Sequence, residues 1–181
     1  EVDLCGHATL ASAFVIFEIL GKSDSKVTFK TPKAGELTVE KRDGMYCLNF
    51  PSRPGTDHKI PTVLVEALER RPKALFKARD YLAVFEKEED IRTLAPDFTM
   101  LKKLDGHLIV TAKGKEADFV SRFFAPNAGI MEDPVTGSAH CTLIPYWSKV
   151  LKKKELYAQQ VSQRGGELFC KDLGDRVEIA G

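Results

Sequence analysis

The chain has 181 residues, 27 basic and 26 acidic, for a net charge of +1, and 43% of it is hydrophobic. That length fills one large domain or two small ones, and the balanced charge excludes a global field for nucleic acid or a membrane surface. No apolar run reaches the roughly 20 residues of a membrane span; the best, Leu10 to Leu20, contains Ser12 and Glu18.

In chain order, Gly6 or His7 to about Leu20 predicts a helix apolar nearly all round, which belongs in a core. Strands follow at Val27 to Thr31, Glu36 to Lys41 and Met45 to Phe50, the last two joined by the turn Asp43-Gly44. Pro51 to Pro61 reads as a loop, Thr62 to Glu69 as a short helix capped by Thr62, and Ala74 to Arg79 and Tyr81 to Glu86 as strands. Lys87 to Leu94 and Asp97 to Lys103 predict short helices, Asp97 capping the second. A boundary near Asp105-Gly106 divides the chain into residues 1–104 and 105–181. Beyond it come strands His107 to Ala112 and Asp118 to Phe124. A second long helix spans Ser138 to about Lys152, with Pro145 inside it. Strands Leu156 to Gln163, Gly166 to Lys171 and Arg176 to Ala180 close the chain. The class is α+β, with a bent sheet folded around one apolar helix in each half.

Two stretches share a plan. Glu1-Val2-Asp3-Leu4-Cys5-Gly6-His7-Ala8 and Glu132-Asp133-Pro134-Val135-Thr136-Gly137-Ser138-Ala139 each end in an apolar residue, a small nucleophilic side chain, Gly, a polar residue and Ala. Adding 131 takes Glu1, Gly6, Ala8, Leu20, Lys22 and Gly35-Glu36-Leu37 to identical residues, eight matches over 44 positions. Average residue usage gives roughly two or three by chance. The chain therefore contains a duplicated unit, read as two related halves facing each other.

Polar residues around a Gly at a helix start suit an anion pocket, because the first N–H groups have no partner inside the helix. Two such starts in one cleft can hold a substrate carboxylate. Desolvation there raises the pKa of an acid toward the range of a general acid or base. Glu1 and Asp133 are the candidates, against plain helix caps. Cys5, Gly6, His7, Thr136, Gly137 and Ser138 surround them. A two-thiol racemase is disfavoured, since Thr136 stands where the second thiol belongs; Cys5 is by default packing. His7 and His140 hydrogen-bond either substrate or a backbone carbonyl. Gly35 and Gly166 either present N–H groups to ligand or make tight turns, and Arg122 either orients an acid across the cleft or lies on the surface. His58 and His107 belong to no constellation. The cysteines Cys5, Cys47, Cys141 and Cys170 show no C-x-x-C pair and no disulfide density, which points to a reducing cytoplasm and away from zinc. No initiator Met or signal-like opening precedes the first motif.

With Ser121-Arg122-Phe123-Phe124-Ala125-Pro126 and Arg164-Gly165-Gly166-Glu167-Leu168, these motifs make the sequence similar to the phenazine-biosynthesis-like (PhzF-like) isomerase family over nearly its whole length. Animal members of the MAWD-binding-protein type are the nearest in pattern. The resemblance implies a diaminopimelate-epimerase-like fold of two pseudo-symmetric halves and a site between them without metal or organic cofactor. It implies a small carboxylate substrate, with Glu1 shuttling a proton, supported by Asp133 and Ser138. Substrate binding falls to Cys5, Gly6, His7, Thr136, Gly137, Gly35 and Gly166. The epimerase thiols would fall on Cys5 and Thr136, a departure from that chemistry. The family's opening strands and last strand have no counterpart here, so the chain is expected to be a piece of a longer protein. A homodimer and a MAWD-type protein are the expected macromolecular partners. Two rivals stand beside this reading: a one-thiol racemase or dehydratase using Cys5 with Thr136, and a non-catalytic interaction protein on the same fold.

Overall fold

The computed structural model describes residues 4–22 and 25–181. The α+β class holds. The first copy of the duplicated unit forms α1 (Gly6–Phe14), a π-helical turn (Val15–Ile19), and strands β1 (Lys26–Thr31), β2 (Gly35–Arg42) and β3 (Met45–Pro51). The intervening chain forms β4 (Thr56–Asp57), α2 (Thr62–Leu68), β5 (Ala74–Lys77), β6 (Tyr81–Val84), α3 (Glu88–Arg92), α4 (Phe98–Leu101), β7 (Leu108–Lys113), β8 (Phe119–Ala125) and β9 (Ile130–Asp133). The second copy forms α5 (Gly137–Leu151), β10 (Glu155–Gln160), β11 (Gly166–Asp172) and β12 (Arg176–Ala180).

The offset of 131 is kept in three dimensions. α1, β2 and β3 begin at residues 6, 35 and 45, and adding 131 gives 137, 166 and 176, where α5, β11 and β12 begin. Inward-facing positions match as well: Leu37 with Leu168, Val39 with Cys170, and Leu48 with Ile179 are all buried. Alternation every second residue places them on one sheet face.

The chain divides into two compact units, Glu1–Ser52, Thr136–Leu156 and Leu168–Gly181 in the first, Arg53–Val135 and Tyr157–Glu167 in the second. Each draws on residues from both sides of Asp105-Gly106. The physical reason is strand pairing between distant segments. In the first unit β3 and β12, the third strands of the two copies, pair antiparallel with Phe50 opposite Val177 and Leu48 opposite Ile179. The order β1-β2-β3-β12-β11 continues into the start of β10, so the copies run outward in mirrored sequence from a shared joint. Arg176 fastens that joint, donating through Nε to Asn49 Oδ1 at 2.6 Å and through Nη2 to the carbonyls of Asn49 at 2.8 Å and Glu36 at 2.9 Å.

The second unit has the strand order β8-β7-β6-β5-β4, with β9 and the end of β10 also on β8. Its core gathers Leu64, Leu68 and Leu75 with Ile91, Leu101, Val110 and Phe124. The sequence placed β4 in a loop and gave β9 no element, because a two-residue strand and one adjoining a 3-10 turn (Pro126–Ala128) carry almost no periodicity. Pro61, not Thr62, caps α2, and it does so through its carbonyl, which accepts from Leu64 N at 3.1 Å. Asp97 caps α4 as expected, its Oδ1 accepting from Thr99 N at 2.8 Å and Met100 N at 3.1 Å. The Asp43-Gly44 turn takes positive φ at both residues, 53° and 77°, as a tight hairpin requires.

The two long helices fare differently. In α5 the residues Ala139 to Ile144, with Trp147 and Ser148, are buried, and the helix continues through Pro145. In α1 and the π turn only Gly6, Ala13 and Phe17 are buried, while Phe14, Val15, Ile19 and Leu20 are exposed. The core position expected for the first helix is therefore realised on one face alone, which rests on β2 and β3. Among the described residues, no helix is long and apolar enough to cross a membrane.

Candidate active site

The two motif glycines meet in the first unit. A methyl group on Gly6 would lie 3.2 Å from Gly137 Cα and 3.6 Å from Gly137 N, and one on Gly137 would lie 3.4 Å from Gly6 Cα. The starts of α1 and α5 thus abut backbone to backbone, an approach that side chains would prevent. Phe50 lies beneath both, its Cε2 at 3.6 Å and 3.9 Å from the two methyl positions. It is fully buried, and sequence reasoning missed it. Its only signal is its place at the inward end of β3.

The two N-cap residues adopt nearly the same backbone, φ −129° and ψ 103° at Cys5, φ −118° and ψ 95° at Thr136. Neither side chain takes up a first-turn N–H, which leaves those donors outside the ordinary cap. Cys5 Sγ lies 3.4 Å from His7 Nε2. Thr136 is buried, and Ser138 half-buried on the first turn of α5. Five of the expected binding residues, Cys5, Gly6, His7, Thr136 and Gly137, thus gather with Ser138 at these abutting starts. Glu1, given the proton shuttle by resemblance, lies outside the described residues.

A cavity of about 310 Å³ opens beside this place in the first unit, with Leu4, Cys5, Ser12 and Phe29 in its wall and Lys30 and Lys33 on it as well. Sequence reading did not single out Ser12, Lys30 or Lys33, since only the fold of β1 against α1 brings them there. Gly35 opens β2 just past the turn at 32–34, at φ 72°, where Thr31 Oγ1 donates to its carbonyl at 2.9 Å. The tight-turn alternative describes it.

His140 takes the carbonyl alternative. It is 0% exposed, and its Nδ1 lies 2.8 Å from the Thr136 carbonyl. A carbonyl only accepts, so the proton sits on Nδ1. Burial pushes the imidazole down to about 4, against the upward pull of that hydrogen bond, so the ring is neutral at neutral pH.

Asp133 and Gly166 belong to the second unit. β9 carries Asp133 opposite Phe123, and its carbonyl accepts from Gln160 Nε2 at 2.7 Å. Gly166 is packed against Val135 so tightly that a methyl there would meet a Val135 methyl. Close packing is its observed role, and the neighbouring Gly165 has the left-handed backbone, φ 71°. Arg122 does hold an acid, but that acid is Glu132, by two hydrogen bonds of 2.7 Å and 2.8 Å. Its Nη1 donates to the carbonyls of Ile91 and Leu94 at 3.0 Å and 2.7 Å. Arg122 therefore fixes β9, one residue before Asp133. Among the described residues there is no His, Cys, Asp and Glu group able to hold a metal.

A family model described as "Phenazine biosynthesis-like protein" matches residues 1–181. An uncharacterised isomerase of Pseudomonas aeruginosa is 48% identical over 183 residues, covering 100% of this chain and 70% of the relative. The mouse phenazine biosynthesis-like domain-containing protein 1 is 38% identical over 204 residues with the same coverage. The crystal structure of a PhzF-family phenazine biosynthesis protein from Enterococcus faecalis superposes with a TM-score of 0.93 at 44% identity, over 100% of this chain and 70% of that one. The chain belongs to the phenazine biosynthesis-like family. A predicted epimerase from Pseudomonas aeruginosa, 17% identical with a TM-score of 0.70, shares the fold.

Proposed function

We propose that this chain is an isomerase that removes and returns a proton beside the carboxylate of a small acid, without metal or organic cofactor. The backbone contact of Gly6 with Gly137 carries the reading. It sets two helix N-termini side by side, each bearing roughly half a positive charge and first-turn N–H groups not taken by the N-cap side chains. A carboxylate is the ligand such a place favours, and His7 and Ser138 stand on the first turns to orient it. Lys30 and Lys33 on the adjoining cavity add positive charge. The proton carriers on this reading are Glu1 and Asp133. Isomerase names among the relatives support the reaction class.

The test is deuterium uptake from D2O into a panel of small carboxylic acids, followed by proton NMR. Exchange next to the carboxylate is expected for the native sequence. Loss of a general acid or base lowers it roughly 10²- to 10⁴-fold in Glu1→Gln or Asp133→Asn. Unchanged exchange in Glu1→Gln removes that residue from the mechanism. If no acid exchanges, and none approaches the roughly 2.7 kcal/mol of stabilisation due at 100 times its Kd, the non-catalytic interaction protein takes its place.

A one-thiol reaction at Cys5 is the second reading, favoured by the 3.4 Å contact of its Sγ with His7 Nε2. It requires rapid loss of exchange on alkylation with iodoacetamide and in Cys5→Ser, whereas the first reading requires that Cys5→Ser retain it.

A further inference from the structure

Thr9 and His140 occupy the same place in the two copies, since 9 and 140 differ by 131, and they perform the same act with different chemistry. Thr9 Oγ1 donates to the Cys5 carbonyl at 2.8 Å, and His140 Nδ1 donates to the Thr136 carbonyl at 2.8 Å. In each copy the acceptor is the carbonyl of the N-cap residue, four positions back, beside the glycine that touches the other copy. Thr9 N also donates to the Cys5 carbonyl, at 3.1 Å. A hydroxyl and an imidazole share little except an X–H group at that reach. Their convergence on one acceptor, with N-cap torsions within 11° in φ and 8° in ψ (−129° against −118°, 103° against 95°), picks out the bond as the feature in common.

We propose that Thr9 and His140 are matched positioning residues, which lock the N-cap carbonyls and thereby hold the two glycine turns in contact. The consequence lies in direction. A carbonyl fixed along its own helix keeps the peptide plane that follows from turning, and that plane carries the N–H of Gly6 or Gly137. Without the extra donor the plane loses one restraint at a place where a helix backbone frays, its first turn. The inference rests on the proposed site for its functional meaning, but the bond geometry stands without it.

Asn and Gln separate the two ring positions of His140. The Asn amide reaches about where Nδ1 does, and Gln about where Nε2 does. The experiment uses the full chain, uniformly labelled with ¹⁵N. Native His140 should show the neutral Nδ1-protonated tautomer by long-range ¹⁵N spectra from pH 6 to 8; the Nε2-protonated tautomer overturns the proposal. Amide exchange at residues 6–9 and 137–140 should rise about tenfold in Thr9→Val and His140→Gln, each in its own copy, as loss of one hydrogen bond implies. Thr9→Ser and His140→Asn should stay within about twofold of native. Equal effects of Asn and Gln would assign His140 to bulk packing and sink the idea, and if His140→Gln fails to fold, the tautomer and the Thr9 pair decide alone. Titration with sodium pyruvate as a carboxylate probe completes the test. Absence of shifts at Gly6 and Gly137 in the native chain counts against the site, whereas the exchange contrast decides the positioning role.

Discussion

Gly6 and Gly137 show how a single absent methyl can organise a fold. At both positions Ala is the better helix former, so propensity alone favours substitution. At Gly6 the added Cβ would press on the Gly137 backbone at 3.2 Å, and backbone does not yield as a side-chain tip does. Gly6→Ala should therefore destabilise by about 1–2 kcal/mol in chemical denaturation, of the order found for overpacking. Gly137→Ala, at 3.4 Å, should cost less. A stabilised Gly6→Ala would show that the two starts are not pressed together. His140 makes a pH prediction. Its imidazole is held at about 4 when folded, against 6.5 when free. Above 6.5 it is neutral in both states and adds no pH dependence. As pH falls below 6.5 the unfolded chain binds a proton that the fold refuses, so stability declines by about 3 kcal/mol and levels off below about 4. Denaturation midpoints from pH 4 to 7 should show this slope, and His140→Asn should remove most of it.

The duplicated elements share residues without sharing tasks. Gly35 and Gly166 open β2 and β11 at equivalent places, and Glu-Leu follows identically in both. Yet Gly35 is needed for its left-handed backbone, with open space where a methyl would go, while Gly166 is needed for its smallness against Val135. Gly35→Ala should cost about 1 kcal/mol through strain, with no response to Val135→Ala. Gly166→Ala should cost more, and Val135→Ala in the same chain should recover part of the loss. A double-mutant cycle in thermal unfolding checks both, and a zero coupling of Gly166 with Val135 would contradict the packing. The helices differ for a related reason. Hydrophobic periodicity reported that α1 and α5 are apolar on most sides, but which sides find a partner depends on segments far away in sequence, and α1 rests on β2 and β3 with one face only.

Across the whole molecule, the joint of β3 with β12 ties the two copies into one unit. Removal of Arg176–Gly181 takes away the partner of β3, the buried Val177, Ile179 and Ala180, and the Arg176 hydrogen bonds. The loss is a large part of a stability of about 5–15 kcal/mol. Limited proteolysis of the shortened chain should cut within the first unit at protease levels the intact chain resists, and an unchanged digestion pattern would mean that the joint is dispensable. The motifs, the eight matches at an offset of 131, the Asp43-Gly44 turn and the Asp97 cap were all legible in the sequence, because each depends on residues within a turn or on direct repetition. The contact of Gly6 with Gly137, the floor made by Phe50, the capture of Glu132 by Arg122 and the division into units were not. Each needs two segments from 10 to more than 120 residues apart to meet, and pairing of that kind is set by which strands and helix faces bury one another, a choice that no local pattern records. By itself the sequence determined the duplication, the α+β class and the residue types at two helix starts; only the tertiary structure decided that those starts touch, since contact is a property of packed surfaces and not of the chain that supplies them.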